Sequence, residues 1–357
     1  MGGPISIFVD FSFVFLFSFS LLFLLRKLAK HPAIGLVDKP NHERKFHDGA
    51  IPMVGGISIC ISILCFIYNN TAILPYSTFY AFSIIVLVVV GALDDKFDLC
   101  FKWRMGIQAV LALLMMMATD TQLANLGDLI GLGDFLLPGF LGKVITVMAV
   151  LGAINAFNMV DGIDGLLGGL ASVTFGGLGI LFFINSAYNY AYFCAMLIVV
   201  MLPYILFNLG LMGRKRKVFM GDAGSMVIGF TVIFLLILST QPILEQKILR
   251  PVTALWLIAI PLLDMVTIMY RRVRRGDSPF KPDREHLHHI FQRIGFNSKK
   301  TLFFICSLSL SCASFGVIGE IYNVSEPIMF YSFISFAIFY AVMLTNIWRV
   351  MGWFRNS

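Results

Sequence analysis

Apolar residues in this chain gather into eleven runs, at about 5–25, 52–69, 77–93, 105–119, 139–157, 166–184, 188–210, 223–240, 251–270, 301–319 and 327–348. A helix needs roughly 20 apolar residues to cross about 30 Å of hydrocarbon, where only its own backbone hydrogen bonds can satisfy its peptide groups. The runs predict an all-α polytopic integral membrane protein of about eleven transmembrane helices, with 1–357 forming a single domain. Composition agrees: 58% hydrophobic and 13% charged residues lie outside the range of soluble domains. The first run carries Asp10, lacks a basic stretch before it and offers no small-residue cleavage site ahead of Arg26, so it reads as a helix and not a signal peptide.

Lys and Arg accumulate on the cytoplasmic side of membrane proteins. With eleven spans, one face receives 24 of the 27 basic residues, leaving only Lys143, Lys247 and Arg250 elsewhere. That distribution predicts an N-terminus outside and a C-terminus in the cytoplasm. All six histidines fall on the same basic face. The positive-inside rule says nothing about His, so their gathering is separate evidence that this face carries chemistry. The six cysteines lie in spans or in a cytoplasmic loop, and none is placed for an extracytoplasmic disulfide. No nucleic-acid partner is expected; the partner is membrane lipid.

Three acidic motifs share that face. GALDDKFD ends the third run with Asp94, Asp95 and Asp98; alone, such a motif reads equally well as solvated helix-end charge. NAFNMVDGIDGLLGG sets Asn155, Asn158, Asp161 and Asp164 at three-residue steps, with Gly162 and Gly165 permitting close backbone approach. VFMGDAGS places Asp222 between glycines at a helix start, where phosphate oxygens are readily bound. Crowded carboxylates repel, so a positive charge belongs among them. Hard oxygen donors without a Cys or His pair at zinc spacing point to Mg²⁺, with Mn²⁺ as a substitute.

Two further segments supply cations. VDKPNHERKFHDGAIPMVGG brings Lys45 with Asp38, Arg44 and His47, while the stretch Arg271 to Arg293 places Arg284, His286, His288, His289 and Arg293 within about three turns of an expected amphipathic helix. Such density suits a nucleotide-sugar diphosphate; for Arg271 to Arg275 a contact with anionic lipid is the better reading. Asp264, inside the ninth run just after Pro261, is read equally as lining a groove at a proline bend or as a buried hydrogen-bonded acid.

The ordered set VDKPNxxRKxH, LDDxxD, NxxNxxDGxDGL, VFMGDxGS and HxHH resembles the polyprenyl-phosphate N-acetylhexosamine-1-phosphate transferases, over about Leu36 to Asn297. The likeness is nearest the bacterial branch that joins GlcNAc-1-phosphate from UDP-GlcNAc to undecaprenyl phosphate for O-antigen and enterobacterial common antigen. The peptidoglycan branch tends to carry HHH where this chain has His286-Leu287-His288-His289. The resemblance implies Mg²⁺ at Asp222 and Asn158, and catalytic roles for Asp94, Asp95, His288 and His289. It also implies nucleotide contacts at Asp161, Asp164 and Phe219, the diphosphate and sugar near Lys45, His288 and His289, with Arg284 and His286 as further substrate-binding candidates, a place in the bacterial inner (cytoplasmic) membrane, and a homodimer. A transferase using another UDP-N-acetylhexosamine, an intramembrane prenyltransferase and a non-catalytic transporter are the alternatives. A prenyltransferase needs a second Asp-rich helix in place of NxxNxxDG, and a transporter needs ionisable residues near the bilayer midplane.

Overall fold

The computed structural model describes residues 4–31, 34–38, 49–241, 248–279 and 285–356. Its helices are α1 (Pro4–Ala29), α2 (Gly55–Asn69), α3 (Ser77–Phe97), α4 (Phe101–Thr119), α5 (Gly139–Met159), α6 (Leu166–Ile184), α7 (Tyr188–Asn208), α8 (Gly221–Thr240), α9 (Pro251–Leu257), α10 (Ala259–Arg274), α11 (Leu287–Arg293), α12 (Ser298–Ile321) and α13 (Glu326–Asn356). Each of the eleven apolar runs is helical. Among the described residues nine helices are long and apolar enough to span a membrane, and α9 with α10 makes a tenth if the bent pair is one span.

Two departures from eleven uniform spans have local causes. The second run yields only the 15 residues of α2, about 22 Å of helix. Its leading residues pair instead: β1 (Val37–Asp38) and β2 (Ile51–Pro52) are antiparallel, and Met53 bridges to Phe219. The ninth run is bent by 80° between α9 and α10. A bend at Pro261 is one of two readings of the sequence there; the break falls earlier, at Ile258, because proline has no N–H to give the carbonyl four residues before it. That carbonyl belongs to Leu257, and it accepts a 3.1 Å hydrogen bond from Thr174 Oγ1 on α6. Pro261 itself sits in the first turn of α10, where a missing N–H costs nothing.

The centre of the bundle is α8, whose apolar window is wholly buried. It is apolar on every side, as a helix enclosed by other helices must be. In lipid, hydrophobicity does not draw helices together; close packing and interhelical hydrogen bonds do. Both are present. A Cβ on Gly56 of α2 would lie 2.1 Å from Gly224 N, and one on Gly91 of α3 would lie 2.3 Å from Ala223 Cα, so these helices meet α8 backbone to backbone. Deeper, the buried Tyr80 donates or accepts at Thr231 Oγ1 over 2.7 Å and packs among Phe193, Phe230 and Phe234.

The entry to α8 is fixed equally tightly. Phe219 N bonds Pro52 O (2.8 Å), Gly55 N bonds Phe219 O (3.0 Å) and Gly56 N bonds Met220 O (3.0 Å). The first turns of α2 and α8 therefore lie side by side, next to the end of α3. Asp94, Asp95 and Asp222, far apart in sequence, are brought to one place.

Candidate active site

The acidic motifs converge around the start of α8. Asp95, in the last turn of α3, accepts a hydrogen bond from Asp222 N at Oδ1 (2.9 Å). A helix start leaves unpaired N–H groups, and here a carboxylate from another helix caps one. Asp222 is bonded on both oxygens: Asn158 Nδ2 donates to Oδ1 (2.6 Å), and Arg104 Nη1 donates to Oδ2 (3.1 Å). The same Arg104 nitrogen is paired with Asp94 Oδ2. Asn158 Nδ2 also reaches Ser225 Oγ at 2.8 Å, leaving the amide oxygen as a hard donor.

Arg104 was missed by sequence reasoning, which counted it only as one more cytoplasmic cation. The usable signal was its place in the first turn of α4, directly after the LDDxxD motif. It supplies the positive charge that the crowded carboxylates require.

The turn between α5 and α6 carries Asp161 and Asp164. Asp164 pairs with Lys217, whose ammonium stands 5.4 Å from the centroid of the Phe219 ring. Phe219 and Asp164 are thus joined through one lysine. Burial, then the charges of Asp222, Asp95 and Asp164, raises the Asp161 carboxyl to about 7. Asn155 is held by Gln108 Oε1 at 3.0 Å and belongs to the wall.

The histidines close over that turn. His288 is 2% exposed, and a Cβ on Gly162 would fall 2.0 Å from its Nε2. Gly162 is therefore required for the ring to lie against the DGIDG turn. Burial, followed by His289 and His286, pushes His288 down to about 3. Burial thus favours the neutral imidazole, one of the hydrogen-bonding groups among the cationic and hydrogen-bonding side chains expected here. Its Nε2 is buried with no hydrogen-bond partner. The helix expected over Arg284 to Arg293 is the short α11, which begins at Leu287 with His286 just before it, and α10 has already ended at Arg274. Lys45 and Arg284 lie outside the described residues.

A cavity of about 1130 Å³ opens beside this cluster, with Arg104, Asn158, His286, His288 and His289 at its polar end. Apolar side chains such as Met148, Ile237 and Leu255 line the remainder, as far as Leu126 in the α4–α5 loop at the opposite end of the bundle. The acidic side chains reach the cavity through Arg104 and Asn158 and are not themselves in its wall.

Does this set suit a divalent cation? Among the described residues no three His, Cys, Asp or Glu side chains close around one point. Mg²⁺ does not need that, since it is usually held by one or two carboxylates, waters and phosphate. Asp95 Oδ2 is buried with no hydrogen-bond partner. An orphaned carboxylate oxygen next to Asp222 and the Asn158 amide oxygen is a fitting hard-donor set.

Residues 77–240, which contain all three acidic motifs, match the profile of glycosyl transferase family 4. The chain is 48% identical over 353 residues to the undecaprenyl-phosphate alpha-N-acetylglucosaminyl 1-phosphate transferase of Haemophilus influenzae, covering 99% of this chain and 97% of that protein. It is 46% identical to the protein of that name from Yersinia pestis (96% and 93% covered) and 45% identical to that of Escherichia coli K12 (97% and 93%). Likeness of that degree along the full length makes this chain a member of glycosyl transferase family 4.

Proposed function

We propose that the protein transfers GlcNAc-1-phosphate from UDP-GlcNAc to undecaprenyl phosphate, giving undecaprenyl diphosphate-GlcNAc and UMP. The observation that carries this reading is a carboxylate, arginine and amide cluster at the mouth of a long apolar cavity. Few reactions need a phosphate-binding centre and an isoprenoid-sized apolar channel in one place. The names of the relatives point the same way.

In this mechanism an oxygen of the lipid phosphate attacks the β-phosphorus of the UDP-sugar, and the bond from that phosphorus to the UMP oxygen breaks. The lipid phosphate is already anionic near neutral pH, so the protein's task is to bring two anions together and stabilise the charge of the transferring group. Arg104, at the cavity mouth, is the cation placed for this. Asp94 holds Arg104 and Asp95 Oδ1 holds the start of α8, so both position the cluster, and Asp95 Oδ2 is left for a metal. Asp164, Lys217 and Phe219 form the nucleoside end. Neutral His288 and its neighbour His289 hydrogen-bond the sugar phosphate. Asp222, the Asn158 amide oxygen and Asp95 Oδ2 would hold Mg²⁺, or Mn²⁺, which would supply charge neutralisation at the diphosphate.

Purified protein given radiolabelled UDP-GlcNAc, undecaprenyl phosphate and Mg²⁺ is expected to form labelled lipid and UMP, and to stop on addition of EDTA. UDP-MurNAc-pentapeptide is expected to be refused, because a polar end built from His286, His288 and His289 suits hydrogen bonds to a small N-acetylhexosamine and penalises donors that leave those groups unpaired. Efficient transfer from the pentapeptide donor would reassign the branch, and no transfer from either donor would remove the transferase reading. The product would open O-antigen or enterobacterial common antigen synthesis.

The same reading puts the site on the cytoplasmic face of the inner membrane. In a background without native cysteines, Leu132→Cys, in the opposite loop and 86% exposed, should react with an impermeant thiol reagent in intact cells. Lys299→Cys, exposed at the start of α12, should react only after lysis. The reverse pattern would separate the site from cytoplasmic nucleotide sugars.

A further inference from the structure

Asp264 lies in α10, 1% exposed among apolar side chains. A buried carboxylate persists only where hydrogen bonds replace water, at a cost of several kcal/mol when they are missing. Both of its oxygens are used. Oδ2 pairs with His286 Nδ1 at 2.8 Å, and Oδ1 accepts from Leu287 N at 3.0 Å and from Tyr340 Oη at 3.2 Å. One side chain thus joins α10, the start of α11 and α13.

We propose that Asp264 is a positioning residue: by orienting the His286 ring and anchoring the first turn of α11, it sets where His288 and His289 stand over the α5–α6 turn. This rests on the transferase reading and adds a residue to it. Seven residues are too few for a helix to hold itself, so the placement of α11 comes from contacts of this kind. A carboxylate only accepts, so Nδ1 of His286 carries the hydrogen and Nε2 is left for the cavity that His286 lines. The His286 ring lies parallel to that of His288, centroids 5.7 Å apart, and His288 is 4.1 Å from His289. Orientation at Asp264 is thereby passed along three imidazoles to Gly162.

The test is a double-mutant cycle in the full-length protein, with wild-type transfer measured first. Asp264→Asn keeps the shape and one acceptor but turns an N–H₂ toward His286. It is expected to lower kcat by about 10- to 100-fold, the usual effect of losing a residue that orients a functional histidine, with KM for UDP-GlcNAc changed by less than about threefold. Asp264→Glu should recover part of the loss. In a His286→Gln background, Asp264→Asn should cost no more than about twofold further, because the two residues act as one unit. Multiplying losses, or full kcat in Asp264→Asn, overturns the proposal. Amide hydrogen exchange across residues 286–293 reads the same contact without turnover: faster exchange in Asp264→Asn supports it and unchanged exchange overturns it. If wild-type protein shows no transfer, the transferase reading fails and the exchange result still decides whether Asp264 anchors α11.

Discussion

Asp222→Asn is expected to lower kcat by about 10³-fold or more, at the upper end for loss of one charge-stabilising group, while the protein inserts and purifies normally. The physical reason is visible before any metal is considered. Asp222 accepts from Arg104 on one oxygen and from the Asn158 amide on the other. An asparagine in its place has one acceptor and one donor, so it must set N–H₂ against either Arg104 or Asn158. The cluster loses its order along with the charge that would hold Mg²⁺. Stability should change little, because Asp222 is 35% exposed at its side chain and the partners can turn to water. The checks are transfer assays across added Mg²⁺ and Mn²⁺ and thermal unfolding in detergent. Full activity of the variant in EDTA-treated preparations would defeat the metal assignment.

Much of this site was legible because membrane chains write it in contrast. Against long apolar runs, an Asp between two glycines is conspicuous, and LDDKFD, NAFNMVDGIDG and MGDAGS stand out at the ends of runs. Their convergence was readable only as a shared face. The contacts that realise it depend on Gly56 and Gly91 letting α2 and α3 touch α8, which no local pattern announces. Helix positions were readable from length and apolarity, whereas the break at Ile258 was not. Its origin is a carbonyl four residues ahead of Pro261, satisfied by a threonine more than 80 residues away. Likewise Asp264 offered two readings until its partners appeared 22, 23 and 76 residues later. The neutrality of His288 follows from burial, and burial belongs to the fold.

Arg104 shows what charge counting hides, and its removal should have the second large effect. Asp94 retains only 4% side-chain exposure, and Arg104 is its ion-pair partner. Taking one member from a buried pair strands the other, at about 3 kcal/mol, the low end for such pairs, because Arg104 is itself 22% exposed. Arg104→Gln should therefore lower the unfolding midpoint and cut kcat by about 10²-fold or more, since it also removes the cation at the cavity mouth. Arg104→Lys keeps the charge but loses the rigid fork, so it should restore most of the stability and a minor part of the rate. The discriminating variant is Arg104→Gln combined with Asp94→Asn, in which no buried charge is stranded. Its stability should return to within about 1 kcal/mol of wild type while transfer stays low. Recovery of both would make Arg104 a structural counter-ion alone, and recovery of neither would mean that Asp94 holds more of the fold than its arginine.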